Sequence, residues 1–318
     1  MSLQSRPCPT WLRWPDDEAA ICARIAATRA ELKFVLVTRD ERELLERWIL
    51  HHLSLTGPNG LVIFDNGSTD PEVIALYARY ADVIEVFGWN LRHTMVFNTT
   101  RHRPLFLSLR LSCRNYALID TDEFACWTDG DRLYQDNLVA RLSEADAATV
   151  HPGMWWETYH EPAEIYWPRM PLTWGKPLLG ASVEVQGSVN HNVFLVRNNP
   201  DVRMRGGFVV LHHPFAARER RIRSNVQKCV AHGWADGPEQ IDTIIAAGNF
   251  ERLPEKFRVY LREIVHCRAP APHPAPRLLP GTLAVGEDGR LDHGSPEIAR
   301  QLRQFATAAE IPAHAIDP

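Results

Sequence analysis

The sequence predicts an α/β fold in which a mostly parallel central sheet is flanked by helices and followed by a helical C-terminal extension. Short apolar runs with the length of buried strands alternate with helical stretches through the first 120 residues, which is the rhythm of a parallel sheet. Three of these runs end in polar clusters, after residues 38, 64 and 119. Since ligands of parallel sheets bind beyond the carboxyl ends of the strands, we expect the three clusters to converge on one site.

Each element of this first part has its own sequence signal. The second helix is the clearest, because Leu45, Trp48 and Ile49 repeat at the spacing of an apolar helix face and Gly57 stops the run. Pro71 suits the first turn of the third helix. Strands are predicted over 34–37, 61–64, 83–87 and up to residue 120; helices over 16–29, 41–55, 71–81 and 99–115; and an irregular arm over 1–15.

The pattern changes beyond residue 148. Six aromatic residues crowd into positions 155–174, and both core packing and stacking on sugar rings are open interpretations. Strands are expected over 192–196 and 207–211, mostly helical structure over 217–265, a proline-rich linker over 268–280 and a helix over 295–309. We therefore divide the chain into an N-terminal arm and helix (1–32), a central domain (33–233) and a C-terminal helical and proline-rich extension (234–318).

Composition narrows the class of protein. The chain has 318 residues, 45% of them hydrophobic, which suits one sizeable globular domain with appendages. A net charge of -4 argues against nucleic acid as a partner. The six cysteines form no C-x-x-C pair, so we expect free thiols in a reducing compartment. We see no signal peptide and no apolar run of 18 residues, and these features together predict a cytoplasmic protein.

The most informative segment runs from Tyr116 to Phe124, where an apolar strand ends in three carboxylates. Asp120 and Asp122 are two residues apart and would project to the same side of an extended backbone. A hard divalent ion such as Mg²⁺ or Mn²⁺, carrying a substrate's phosphates, is the usual partner of two such charges. The alternative is an acidic turn with no ligand.

In this order, the motifs resemble those of the inverting glycosyltransferases of the GT-A fold, in particular the bacterial group similar to families 2 and 92. The resemblance covers about residues 33–233 and departs from the family where the first motif normally reads Lys-Asn-Glu. The matching elements are Arg39-Asp40-Glu41, the W-x-x-x-H element from Trp48 to His52, the D-N-x-S-x-D motif from Asp65 to Asp70, the D-x-D-E-F motif from Asp120 to Phe124, and His212 or His213 followed by a basic helix containing Lys228.

The resemblance implies a nucleotide-sugar donor. Asp65 is the candidate for gripping the nucleoside, with Arg39, Glu41, Asn66 and Asp120 lining the same pocket. An Asx turn at Asp65 is the structural alternative, and Glu41 also suits the start of a helix dipole.

The same resemblance implies that Asp120 and Asp122 hold Mn²⁺ or Mg²⁺, which stabilises the departing diphosphate. His212 or His213 would add a further contact, and the choice between them is open. Arg218 and Lys228, in the basic run that follows, are candidates for binding the diphosphate. A solvated helix face is the alternative for that run, and contact with anionic lipid head groups is a further prediction.

An inverting transfer also needs a carboxylate that deprotonates the acceptor hydroxyl. Glu157, inside the aromatic segment, is our candidate, and Asp129 and Glu184 are its rivals. The predicted function is metal-dependent transfer of a sugar from a nucleotide-diphosphate donor to a hydroxyl of a glycan or lipid-linked acceptor, at the inner face of the membrane.

Three other classes of protein are alternatives to a glycosyltransferase. A nucleotidyltransferase usually has a glycine-rich loop after its first strand, whereas residues 38–41 contain no glycine. A carbohydrate-binding protein without turnover would be favoured by loss of one aspartate of the D-x-D motif, and both are present. A metal-dependent phosphohydrolase usually has more clustered His and Asp ligands than this chain, whose fourteen histidines are scattered.

Overall fold

The computed structural model describes residues 11–143, 146–158, 164–167, 175–192, 203–213, 218–248, 252–269, 281–308 and 311. Its strands are β1 (Arg13–Trp14), β2 (Leu32–Thr38), β3 (Leu61–Asp65), β4 (Ile84–Trp89), β5 (Asn115–Leu118), β6 (Glu123–Thr128), β7 (Leu133–Tyr134), β8 (Thr149–His151), β9 (Met154–Thr158), β10 (Glu164–Trp167), β11 (Leu178–Gly180), β12 (Arg203–Met204), β13 (Phe208–His212), β14 (Gly281–Val285) and β15 (Leu291–Asp292). Its helices are α1 (Glu18–Ala27), α2 (Leu45–Thr56), α3 (Pro71–Arg79), α4 (Arg103–Ser112), α5 (Leu138–Leu142), α6 (Arg218–Ala231), α7 (Pro238–Ala247), α8 (Glu255–Arg268) and α9 (Pro296–Thr307), with a 3₁₀ helix at His93–Phe97.

The larger sheet has eight strands in the order β1-β4-β3-β2-β5-β11-β8-β12. The first five are mutually parallel, β11 runs antiparallel to both of its neighbours, and β12 is parallel to β8. All residues of β2, β3 and β5 are buried, as expected for parallel strands covered on both faces. The predicted α/β fold with a mostly parallel sheet flanked by helices is therefore confirmed.

The N-terminal arm departs from the sequence prediction. Residues 13 and 14 form the edge strand β1 rather than irregular structure, and residues 1–10 lie outside the described part of the chain. Trp14 is fully buried, stacks on Trp89 with 6.2 Å between ring centroids, and donates through Nε1 to His102. Two residues are too few to show the alternation by which strands are predicted from sequence.

A second sheet of seven strands, in the order β15-β14-β10-β9-β13-β6-β7, lies at the end of β5. The chain passes from β5 in the first sheet to β6 in the second through Ile119 to Asp122, so the acidic motif is the connection between the two sheets. The predicted strand over 207–211 is confirmed as β13. Residues 193–196 of the other predicted strand and residues 270–280 of the predicted linker lie outside the described ranges.

The C-terminal region contains the predicted helices. The first three, α6 to α8, share a small core of their own that includes Cys229, Ile241, Phe257 and Leu261. The last helix, α9, packs against the main core, and β14 extends the second sheet beside β10. The five cysteines within the described ranges are free thiols, as predicted. Across those ranges, none of the helices has the length and apolar character needed to cross a bilayer.

Candidate functional site

The three polar loops converge at the carboxyl edge of the larger sheet, as the sequence predicts. Strand pairing sets Thr38, at the end of β2, beside Asp65, at the end of β3. The hydroxyl of Thr121, inside the acidic turn, donates to the hydroxyl of Thr38 over 3.1 Å. The Asp40 carboxylate accepts from the backbone N–H of Thr69 at 2.6 Å and of Asp70 at 2.8 Å. These bonds hold the loops after β2, β3 and β5 against one another.

The acidic motif is a turn, and the expectation of an extended backbone from Asp120 to Asp122 is wrong. The N–H of Glu123 donates to the carbonyl of Asp120 at 3.1 Å, which closes the turn. The extended prediction failed because β5 ends at Leu118 and the chain bends to enter the second sheet. The two aspartates therefore do not share one face of a strand, and each has its own basic neighbours.

Asp120 is paired with two basic residues, Lys176 and His93, that the sequence did not reveal. Its Oδ2 accepts from the ammonium of Lys176 at 3.0 Å, and its Oδ1 lies 3.4 Å from Nε2 of His93. Burial acts against the Asp120 charge, but Lys176 and His93 outweigh it and hold the pKa of this carboxyl well below its usual value. Lys176 lies in a loop and His93 in a short 3₁₀ helix, so no periodic pattern marks either residue.

Asp122 faces the second sheet and the C-terminal helices. Its Oδ2 lies 3.5 Å from Nε2 of His212 and 3.8 Å from Nη1 of Arg221. Burial opposes the charge, yet these two cations lower the pKa of Asp122 to about 2. Burial likewise opposes the charge of His212, and the carboxylates of Asp122 and Glu157 raise its pKa to about 9. Both members of the pair are charged at neutral pH.

The structure distinguishes the two adjacent histidines. His212 is buried beside Asp122, and its ring stacks on Trp155 with 4.0 Å between centroids. His213 points elsewhere: its ring packs edge-on against Phe124 at 5.0 Å, and Nδ1 makes a close contact with the hydroxyl of Thr158. The backbone N–H of His213 donates to the Asp122 carbonyl, which helps to hold the turn.

Strand register brings two further carboxylates beside His212. In the second sheet His212 pairs with Glu123 of β6 on one side and with Glu157 of β9 on the other. Glu123 is fully buried and accepts from the backbone N–H of Asp120 at 2.6 Å. Burial raises the pKa of Glu123 to about 8, even though Lys176 acts in the opposite direction. Glu123 is therefore largely neutral at pH 7, and Asp120 and Asp122 remain as the charged carboxylates of the acidic turn.

Among the candidate bases, only Glu157 lies beside this cluster. Its Oε1 is 3.9 Å from Nδ1 of His212. The Asp129 carboxylate instead accepts from the backbone of its own β6–β7 turn and from the hydroxyl of Tyr134. Glu184 is exposed and pairs with Arg103 and Arg110. Of the aromatic segment, Trp156 belongs to the core and Trp155 borders the site, whereas residues 159–163 and 168–174 lie outside the described ranges.

Among the basic residues of α6 whose side chains the structure describes, Arg221 reaches the acidic turn. The guanidinium of Arg221 is held by Glu263 of α8, with Nε 3.0 Å from Oε2, and Asn225 donates to the same oxygen at 2.8 Å. By contrast, Arg218 donates to the carbonyl of Ala269, and the ammonium of Lys228 lies 5.3 Å from the ring centroid of Tyr260. Helical spacing alone did not reveal which basic side chain faces Asp122.

Four of the predicted nucleoside-binding residues lie at the end of β3 or in the loops after β2 and β3, namely Arg39, Glu41, Asp65 and Asn66. Asp65 is buried, and its carboxylate accepts from the N–H groups of Gly67 and Ser68 and from the Tyr77 hydroxyl. The Asx-turn alternative is thus observed. When the oxygen and nitrogen of the Asn66 amide are assigned from its surroundings, the nitrogen donates to the carbonyls of Trp89 and Leu91. Glu41 is fully buried, and Arg39 is 62% exposed beside Asp40, which leaves a cation at the rim.

The donor atoms at the acidic turn fit a hard divalent ion that arrives together with phosphate oxygens. Across the described part of the chain, no three His, Cys, Asp or Glu side chains form a ready-made metal cage. Mg²⁺ is commonly held by only one or two carboxylates plus substrate phosphates, and imidazole is an acceptable ligand for several divalent metals. Asp122 supplies an oxygen donor, and His212, 3.5 Å away, supplies a nitrogen donor when a metal displaces its proton.

Neither a family model nor a curated protein matches the sequence. Among solved structures, the chain is similar to GalNAc-T7 with UDP, GalNAc and Mn²⁺ (12% identity, TM-score 0.36, 58% of this chain and 44% of that one). It is also similar to S. aureus TarS (10% identity, TM-score 0.34, 63% and 40%) and to the mannosyltransferase PcManGT from Pyrobaculum calidifontis in complex with GDP-Man and Mn²⁺ (14% identity, TM-score 0.33, 79% and 81%). The matched region spans less than half the length of the first two proteins.

Proposed function

We propose that the chain is a metal-dependent glycosyltransferase of GT-A type that uses a nucleotide-sugar donor and inverts the anomeric centre. The observation that carries the proposal is the charge arrangement at the acidic turn. There Asp122, His212 and Arg221 meet at the carboxyl edge of a mostly parallel sheet, which is where such sheets bind ligands. A nucleoside diphosphate needs cationic partners and a divalent ion, and this edge offers groups suited to both.

Arg221 is our candidate for binding the diphosphate, in place of Arg218 and Lys228. Its guanidinium is three-quarters buried and already oriented by Glu263. A planar, pre-oriented guanidinium makes paired hydrogen bonds to phosphate oxygens. Arg39, which is exposed in the loop after β2, is a second cation that would meet the nucleotide.

Asp122 and His212 are our candidates for holding Mn²⁺ or Mg²⁺. The chemistry that such an ion supplies when bound is stabilisation of the negative charge on the departing diphosphate. We assign Asp120 a supporting role at the same edge, because its carboxylate is committed to Lys176 and His93. The Asp65 carboxylate shapes the loop that would bind the nucleoside and, with one hydrogen bond to Oδ1, keeps an acceptor position for it.

Glu157 is our candidate for the base that takes the proton of the acceptor hydroxyl. It lies in β9 beside His212, and Trp155, two residues earlier in the same strand, borders the site. A flat aromatic side chain next to a carboxylate is well suited to place a sugar ring within reach of it. We propose a glycan or lipid-linked acceptor, and the free thiols favour action in a reducing compartment such as the cytoplasm.

Calorimetric titration with nucleoside diphosphates, in Mn²⁺, Mg²⁺ or EDTA, tests the proposal. We expect one nucleoside diphosphate to bind in the presence of Mn²⁺ or Mg²⁺ and to bind at least about tenfold more weakly in EDTA. Asp122→Asn should remove the metal effect, whereas Asp82→Asn, which changes an exposed carboxylate between α3 and β4, should retain it. Release of that diphosphate from the matching nucleotide sugar then reports turnover. Absence of binding to every nucleoside diphosphate, or unchanged metal dependence in Asp122→Asn, would refute the proposal.

A further inference from the structure

Lys176 is a buried lysine whose charge is confined to the acidic cluster. Only 1% of its side chain is exposed, and its ammonium lies 4.4 Å from the ring centroid of Phe97. It donates to Asp120 Oδ2 and to Asn190 Oδ1, each at 3.0 Å, and lies 3.9 Å from Glu123 Oε2. A buried ammonium is tolerated only when it is paired and hydrogen-bonded, and these partners meet that condition.

The backbone around Lys176 keeps the ammonium in place. Gly153 donates its N–H to the carbonyl of Lys176, and Asn192 donates its N–H to the carbonyl of Gly175. A Cβ at Gly175 would lie 1.3 Å from the carbonyl oxygen of Gly153, so the two segments approach as closely as glycine allows. The backbone from which the lysine extends is therefore fixed by these contacts.

The position of Lys176 bears on metal binding. The Asp120 carboxylate is about one-third exposed, and Lys176 contacts it from the buried side. A divalent ion on the exposed side would be attracted by Asp120 and Asp122 and repelled by the ammonium behind them. At the low effective dielectric of a buried site, such repulsion is strong over several ångströms.

We propose that the Lys176 ammonium acts as a built-in counter-ion that keeps the acidic turn from holding a divalent metal until a diphosphate adds negative charge. This inference rests on the metal role proposed above. Lys176 is thus a positioning and charge-setting residue, and metal loading becomes dependent on the donor nucleotide. The practical consequence is that free Mn²⁺ alone binds weakly to the intact protein.

The test is the affinity of the full chain for Mn²⁺ alone, measured by calorimetry and by the loss of the free Mn²⁺ electron-paramagnetic-resonance signal. Lys176→Met removes the charge and keeps the length of the side chain, and we expect Mn²⁺ to bind at least about tenfold more tightly. Lys33→Met is the matched control, because Lys33 is also fully buried but lies near the start of β2, where it donates to the carbonyls of Ile25 and Thr28. It should leave Mn²⁺ affinity unchanged.

A second variant addresses the risk that Lys176→Met unfolds the protein. Asn190→Asp offers the same ammonium a second carboxylate from a partly exposed position, so it should raise Mn²⁺ affinity in the same direction. Unchanged Mn²⁺ affinity in the folded variants, or an intact protein that binds Mn²⁺ alone as tightly as with nucleotide, would overturn the inference. If the variants tighten Mn²⁺ binding while no nucleoside diphosphate binds, the charge-setting role of Lys176 stands, whereas the glycosyltransferase proposal falls together with the dependence of metal loading on the nucleotide.

Discussion

The burial of His151 should make the free energy of unfolding depend on pH, and the size of this effect follows from the surroundings of the side chain. It ends β8 with a fully buried side chain, and its ring meets Trp127 edge-on at 5.4 Å between centroids. Nδ1 lies 3.1 Å from the carbonyl oxygen of Arg205 and must carry the proton, since a carbonyl only accepts. Among the described residues, Nε2 has no hydrogen-bond partner. Burial lowers the pKa of His151 to about 4, so the folded protein holds it neutral.

The expected effect is a loss of stability on acidification. In the unfolded chain His151 takes up a proton near pH 6.5, whereas in the folded chain it does so only near pH 4. The unfolded state therefore binds more protons between these values, and the free energy of unfolding falls as the pH falls. The difference between the two pKa values lowers the free energy of unfolding by about 2 kcal/mol at pH 5 and by about 3 kcal/mol at pH 4, relative to pH 7.5.

The variant His151→Asn isolates this contribution, because an amide nitrogen replaces the donor to Arg205 but does not titrate. Urea denaturation at pH 7.5 and pH 5, followed by tryptophan fluorescence, gives the free energy of unfolding of each protein. Other titrating groups act on both proteins and cancel in the difference. We expect the variant to lose about 2 kcal/mol less than the wild type between the two pH values.

His232→Asn is the control, since it replaces an exposed histidine in the turn after α6 and should follow the wild type. If His151→Asn and the wild type lose the same free energy to within about 0.5 kcal/mol, His151 is not held neutral by burial and the reasoning is refuted.

Three further predictions concern α2, α9 and the site. His52→Ala should destabilise the fold by about 3 kcal/mol in urea denaturation, because the buried ring accepts from the N–H of Ala125 and donates to the carbonyl of Trp48; a loss below about 1 kcal/mol would contradict this. Ser295→Ala should lower the free energy of unfolding by about 1 kcal/mol because it removes the N-cap of α9, whereas Ser295→Thr should retain most of the contribution of the cap. Arg221→Met should weaken nucleoside-diphosphate binding at least about tenfold in calorimetry, and Arg223→Met, on the exposed face of α6, should not; equal affinities would remove Arg221 from the site.

The sequence predicted the elements of the larger sheet because their signals are local. Buried parallel strands are continuous apolar runs, and β2 and β3 were expected within two residues of their ends. The start of α3 was marked by Pro71, and the structure adds that the Asp70 side chain accepts from the N–H of Glu72. The acidic motif was likewise visible, since three carboxylates after an apolar run need no partner elsewhere in the chain to be noticed.

Sequence alone did not predict the partners of those carboxylates. Lys176 lies 56 residues from Asp120 in the chain, and Arg221 reaches Asp122 only because Glu263 of another helix orients it. The choice of His212 over His213 depends on the register of β13 between β6 and β9. Periodicity reports which face of an element is apolar, and it does not say which distant polar group will lie opposite.

The sequence by itself therefore determined the fold class, the edge of the sheet where the loops converge, and the position of the acidic motif at that edge. Only the tertiary structure decided that Asp120 is neutralised from within by Lys176, that Asp122 faces His212 and Arg221, and that Glu157 lies in the same cluster. The physical reason is the range of the interactions: strands, helices and turns form from residues close together in the chain, whereas the charge of a buried site is set by groups that meet only after folding.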